Sequence, residues 1–178
     1  MKIVSSLLMV VVMLLSANAG TEKPRVAVLQ LKSDGISKSE SQTMTDRLRV
    51  ELVKSNEFAI IERGEMDEIL KEQGFQMSGC TGSECAVEAG KLLSANQICA
   101  GSIGRVGSLF TLSVRLIDVE SGQIIKSVTE DCKCPIEDVL TKSIRNVVEK
   151  LTGKKINIGF RTHTDIVKDI DGNIYKIV

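Results

Sequence analysis

Apolar and polar positions change period several times along this chain, and each change marks an element. Val26–Leu31 (VAVLQL) is almost continuously apolar, which predicts a strand buried on both faces that Ser33-Asp34-Gly35 then breaks. Ser37-Lys38-Ser39-Glu40 and the overlapping Ser39-Glu40-Ser41-Gln42 read as capping boxes opening a helix. In that helix Met44, Leu48, Leu52 and Val53 form the apolar stripe, Asp46, Arg47, Arg49, Glu51 and Lys54 occupy the rest, and Ser55-Asn56 ends it. Phe58–Ile61 predicts a second short buried strand. Arg63–Gln73 returns to helical period with Met66, Ile69 and Leu70 inward, and Gly74 stops it. After a polar loop over 74–82, Thr81-Gly82-Ser83-Glu84 opens a third helix with Cys85, Ala89, Leu92 and Leu93 on one face.

Three strands follow at Gln97–Ile103, Leu109–Val119 and Gly122–Glu130. The middle one alternates, with Phe110, Leu112, Val114 and Leu116 facing one way and Thr111, Ser113 and Arg115 the other. The joins at 105–108 and 120–123 are hairpin turns, so these strands predict an antiparallel meander. Pro135 fits the first position of a last long helix striped by Ile136, Val139, Leu140, Ile144, Val147, Val148 and Leu151 up to Gly153. Beyond it, Asp171-Gly172 between Ile166-Val167 and Ile174-Tyr175 predicts a small hairpin in a tail over 154–178. The expected fold is a single α/β domain over 20–153. It has a mixed sheet of about five strands, helices on both faces, and the meander in its second half.

The N-terminus is of another kind. Lys2, nine apolar residues from Leu7 to Leu15, and Ala17-Asn18-Ala19 have the layout of a secretory signal peptide over 1–19, cleaved between Ala19 and Gly20. Nine apolar residues are too few to span a bilayer. The remaining chain, about 160 residues, is expected in the periplasm or secreted, and no cysteine follows the cleavage point to accept a lipid. It balances 23 basic against 23 acidic residues before Lys2 is removed, which leaves no basic field for nucleic acid or an anionic membrane. Aromatics amount to 3 % with no Trp, too few for a platform that stacks bases or sugars.

Export changes what the five cysteines mean, because close pairs join in an oxidising compartment. Cys80 and Cys85 flank a Gly-containing turn and are candidates for a bridge pinning the loop to a helix entrance. Cys132 and Cys134 are the other disulfide candidates, although a bridge between i and i+2 is strained, which leaves a partner elsewhere or a free thiol open. Cys99, in an apolar run, reads as a buried thiol. Zinc fits poorly, since Cys-x4-Cys and Cys-x-Cys miss the usual spacers and no histidine is near. No metal and no cofactor are expected.

Nothing in the chain converges on catalysis. The only histidine, His163, falls in the tail, and there is neither a Gly-x-Ser-x-Gly elbow nor a phosphate-binding Gly-Lys-Ser/Thr loop. Gly101-Ser102-Ile103-Gly104 reads as strand in which glycine permits a bulge or close backbone approach. Asp169-Ile170-Asp171-Gly172-Asn173 misplaces its glycine for a calcium loop and lacks the closing Glu. Glu62, Glu65, Asp67, Glu68 and Glu72, interleaved with Arg63 and Lys71, form a solvated helix face. Cys85 at a helix start admits a redox reading, but the spacing to Cys80 is wrong for a thioredoxin-like site.

Several of these strings, in this order, resemble the periplasmic domain of the CsgG/HfaB family, which includes the curli secretion channel protein. They are Val26-Ala27-Val28-Leu29, the helix with Leu48 and Leu52, Ile60-Ile61-Glu62-Arg63 and Ile69-Leu70-Lys71-Glu72-Gln73. They continue with 89–95 leading to Ala100-Gly101-Ser102, and Val114-Arg115-Leu116-Ile117-Asp118-Val119 with Gly122. The chain is similar also to LpoB-type activators of cell-wall synthases, which share that fold. The resemblance implies a non-enzymatic envelope module of secretion or outer-membrane assembly, often oligomeric, whose partners are envelope proteins or further copies of itself. An activator of a cell-wall synthase and a small cysteine-based redox protein are the alternatives. Two departures limit it: the curli channel is a lipoprotein, and no surplus length between Leu31 and Leu151 could supply membrane-spanning hairpins. Only the soluble domain's role carries over, and no stable membrane insertion is expected.

Overall fold

The computed structural model describes residues 22–75 and 82–156, and the backbone of Ile166–Lys168 and Ile174–Lys176. The expected leader with its Ala19–Gly20 cleavage point, Cys80, Thr81, His163 and the loop over 169–173 lie outside the described residues. Six strands form the main sheet: β1 (Arg25–Val28), β2 (Lys32–Asp34), β3 (Ala59–Ile60), β4 (Gln97–Val106), β5 (Leu109–Asp118) and β6 (Ile124–Cys132). Their order is β3-β1-β4-β5-β6, with β2 also on β4. β1 runs parallel to β3 and β4, as a strand–helix–strand path requires, and β4, β5 and β6 make the antiparallel meander that the alternation and turns predict.

Two strand expectations change. Ser33-Asp34 does not break the chain out of the sheet: after three residues of irregular backbone, Lys32–Asp34 pairs with β4 again, Lys32 opposite Ser102. From Val28 to Lys32 this chain uses one more residue than β4 does from Cys99 to Ser102. The second change is at 58–61, where only Ala59–Ile60 is strand, and it lies at the sheet edge, exposed at Ala59 and half-buried at Ile60, instead of being buried.

The kink after β1 costs backbone hydrogen bonds, and α1 (Lys38–Ser55) supplies substitutes. Thr45 Oγ1 accepts from the Leu31 N–H at 3.1 Å, Ser41 Oγ donates to the Leu31 carbonyl at 2.6 Å, and the Arg49 guanidinium donates to the Val28 carbonyl at 2.8 Å. These three residues are four apart, so one helix face presents them in a row. Replacing Thr45 by Val keeps the shape but strands the Leu31 N–H; the expected loss is about 1–3 kcal/mol, read from the urea midpoint.

Helices cover both faces. α1, the short α4 (Ile136–Asp138), a π-helical turn over Val139–Ser143 and α5 (Ile144–Thr152) pack on one face around Val28, Leu48, Ile103, Leu112 and Val147, the first core. α2 (Arg63–Glu72) and α3 (Ser83–Leu92) pack on the other around Ala27, Met66, Ala89, Ile98 and Ile117, the second core. The Ser37–Glu40 capping box opens α1 and Asn56, in the left-handed region, closes it. Within α1 the expected stripe is off by one place: Val53 is 57 % exposed, whereas Glu51 is fully buried, paired with Arg47 at 2.9 Å and Lys54 at 3.1 Å. On α3 the buried face is Ala86, Ala89 and Gly90, with Cys85 and Leu92 only half-buried. The last helix is not continuous, because the π-helical turn interrupts it. In the tail, Ile166–Lys168 and Ile174–Lys176 pair antiparallel.

Glu130 of β6 ties the sheet to α5. Its carboxylate accepts from Lys150 Nζ at 2.6 Å and from Asn146 Nδ2 at 3.0 Å. The Lys150 hydrogen bond, against partial burial, holds its pKa below the ordinary value of 4.5. A lowered folded-state pKa adds stability above the unfolded value that is lost as pH falls through the folded one. Urea midpoints measured from about pH 6 to about pH 2 should therefore fall more steeply for the wild type than for Glu130→Gln. Because Lys150 is largely exposed, the difference stays under about 1 kcal/mol.

Candidate interaction surface

α2 and α3 cover only half of their face of the sheet. They sit over β1, the first half of β4 and the end of β5, where Ala27, Leu29, Ile98, Ala100, Ile117 and Val119 are buried. Past Ala100 the residues pointing to this side are polar or glycine as far as Gly104 and Thr111, exposed Val106 and Leu109 end the strands, and no described helix lies on them. The register lines them up in rows. Lys32, Ser102, Ser113 and Thr129 run across β2, β4, β5 and β6; Asp34, Gly104, Thr111 and Asp131 form the next row; Arg115 and Ser127 continue from Ala100. Ser113 and Thr129 hydroxyls lie 3.0 Å apart.

Such a face offers hydroxyl donors and acceptors on a firm backbone, with two cations and two carboxylates among them. Its charges cancel, so it attracts neither polyanions nor polycations at long range. Arg115 stands at its border with the helix-covered half, opposite Ala100, and its Nε is shielded from water without a hydrogen-bond partner. An orphan donor of this kind is satisfied when a partner brings an acceptor.

The face ends at β6, one of the two edge strands in the order β3-β1-β4-β5-β6 among the described residues. Here Ile124 and Ile125 are about half exposed, next to a register shift opposite Leu116 and Ile117. An unpaired nine-residue edge presents backbone N–H and C=O groups to a further strand, and its bulge and Lys126 restrain casual pairing. At the far side of the sheet a groove of about 440 Å³ runs between α1 and the β3–α2 join, with Val50, Val53, Ile60 and Ile61 as its apolar lining. Asp46, bonded to Arg49 at 2.6 Å and to Arg63 at 3.4 Å, occupies its rim.

The cysteines separate into different environments. Cys132 and Cys134 are bonded to each other, Cα to Cα 5.3 Å, so neither looks elsewhere for a partner. Cys85 takes part in a disulfide at the start of α3. Cys99 is a free thiol in the first core, and burial pushes its pKa up to about 12 despite the charge of Arg49. Among the described residues no group of three or more His, Cys, Asp and Glu is placed to hold a metal ion. The acidic residues of 62–72 are exposed on α2 and its join.

Alternation along β5 was enough to place Thr111, Ser113 and Arg115 on one side. It could not place Lys32, Asp34 and β6 beside them, because that depends on which strands are neighbours. The exposed position of Val53 in the groove also escaped a pattern that counted it as core.

The family model for the curli production assembly/transport component CsgG matches residues 8–108. Comparison with curated protein sequences finds no significant match. Among solved structures the chain is similar to the LpoB C-terminal domain from Salmonella enterica, at 17 % identity and a TM-score of 0.54, covering 68 % of this chain and 91 % of that one. The LpoB C-terminal domain from Escherichia coli gives 19 %, 0.53, 69 % and 92 % for the same measures. Lipoprotein GNA1162 from Neisseria meningitidis gives 11 %, 0.55, 74 % and 98 %. At these identities the likeness is one of fold. No helix among the described residues is long and apolar enough to cross a membrane.

Proposed function

The chain belongs to the CsgG family of curli production assembly/transport components, and from that membership we propose that it is a non-enzymatic assembly module of the bacterial cell envelope. The leader over 1–19 exports it, cleavage after Ala19 frees Gly20, and it works in the periplasm without a lipid anchor. Its partners are envelope proteins or further copies of itself.

The observation that carries this reading is the half-covered sheet. Among the described residues two helices bury one half of a face and leave the other half hydroxylated and bordered by a free edge, which supports a surface kept for another protein. Backbone pairing along β6 would provide affinity, and the row from Lys32 to Thr129 would set register. The reading as activator of a cell-wall synthase draws support from the fold shared with the LpoB domains, and it uses the same surface.

A photo-crosslinking amino acid at Ser127, with another at Glu68 on α2 as control, tests this in living cells. The expected result is a product with N-terminal Gly20 in the osmotic-shock fraction, crosslinked from Ser127 and not from Glu68. Mass spectrometry should identify the crosslinked species as a second copy or an envelope protein, and a synthase in that position selects the activator reading. Leader-bearing chain recovered from the cytosol, or equal crosslinking from both sites, would overturn the proposal.

A further inference from the structure

The corner that follows β6 is closed by a disulfide spanning a single residue. Cys132 ends the strand opposite Phe110, and Cys134 packs against the first core immediately before Pro135 and α4. A bond across so short a loop removes little freedom from the unfolded chain, so little conformational entropy favours keeping it closed. Both cysteines are partly buried and Lys133 between them is exposed, so the corner lies at the surface, where a thiolate from solution can approach it. The cation beside the bond attracts that anion.

Opening would not scatter the two sulfurs. The β5–β6 ladder holds Cys132 through its pairing with Phe110, whose ring also carries Arg105 at 5.3 Å, and core packing holds Cys134. The cysteines therefore remain neighbours, and reclosure needs no rearrangement of the fold and no second protein cysteine. Accessible bonds of this kind are the labile ones, while buried thiols stay inert. Cys99, 0 % exposed inside the first core, does not compete as nucleophile.

We propose that Cys132–Cys134 is a thiol–disulfide exchange site whose substrates are dithiols. One thiolate of the dithiol attacks a sulfur of the pair. The Cys132–Cys134 bond breaks, a mixed disulfide forms, and the other cysteine leaves as a thiolate that takes up the proton lost by the attacking thiol. The second thiol of the substrate, deprotonated, then attacks its own sulfur in the mixed disulfide. The substrate departs oxidised, and two electrons and two protons now reside on Cys132 and Cys134. A small-molecule disulfide such as oxidised glutathione restores the bond by the reverse exchange. This activity goes beyond the assembly role and does not depend on it.

The test equilibrates the folded, oxidised protein in glutathione buffers of graded ratio, quenches with an alkylating reagent, and counts labels by peptide mass spectrometry while circular dichroism follows the fold. Cys132 and Cys134 should become labelled together with the dichroism unchanged and Cys99 unlabelled. Their midpoint should lie at a reducing ratio at least about tenfold milder than the one that opens the disulfide of Cys85. A reduced model peptide with two cysteines should be oxidised by the protein and by Cys99→Ala, and by neither Cys132→Ser nor Cys134→Ser. Labelling that appears only as the dichroism signal is lost, a bond that outlasts that of Cys85, or peptide oxidation that persists in both serine variants would overturn the proposal.

Discussion

Valine in place of Gly101 is expected to prevent the protein from folding. A Cβ at that position would sit 2.2 Å from the Ser113 carbonyl oxygen, 3.1 Å from the Val114 Cα and 3.0 Å from Leu31 Cδ2. Two of those atoms are backbone of β5, the strand hydrogen-bonded to β4, so relief means prising apart the central pair of the sheet. Overpacking a core costs about 1–3 kcal/mol where side chains can yield, and more where backbone must. Against a total stability of about 5–15 kcal/mol, most of the variant should be insoluble, and any soluble fraction should unfold at far lower urea. Gly104, three residues on, is the control. Its Cβ would meet nothing closer than the Asp34 carbonyl oxygen at 3.9 Å, so Gly104→Val should stay within about 0.5 kcal/mol of the wild type.

Truncating Leu48 to alanine should produce the second largest loss. Leu48 is 0 % exposed in the middle of α1, inside the first core that joins the sheet to α5. Removing a buried leucine side chain forfeits its transfer energy and leaves a cavity, together about 2–5 kcal/mol. For a domain of this size that lowers Tm by about 10 °C, measurable by calorimetry or dichroism. Val53→Ala on the same helix should change stability by under about 0.5 kcal/mol, because Val53 is 57 % exposed over the groove. Comparable losses at the two positions would mean that α1 is rotated relative to its place on the sheet.

Local signals were strong where one residue's chemistry decides a boundary. The Ser37–Glu40 box, the left-handed Asn56 and the meander turns act through neighbours in sequence, and their elements are legible without a fold. The open face was half legible, through Thr111, Ser113 and Arg115. Ser33-Asp34-Gly35 was read as a break because these residues have no apolar period, yet β4 receives Ser33 and Asp34. Glu51 was read as solvent-facing because charge predicts exposure, but Arg47 and Lys54 close over it. The Cys132–Cys134 bond looked awkward from spacing alone, and the corner between β6 and α4 brings the two together.

The order and type of the elements apart from β2 and the π-helical turn, the two-faced architecture and the absence of a recognisable catalytic motif follow from residue pattern alone, because capping, turn geometry and hydrophobic period act over a few residues. Only the tertiary structure decided that α2 and α3 cover half of one sheet face, that α1 spends Ser41, Thr45 and Arg49 on a kinked strand, and that Gly101 must have no side chain. Those facts depend on which distant segments lie side by side, and a periodicity records what faces inward without recording what it meets there.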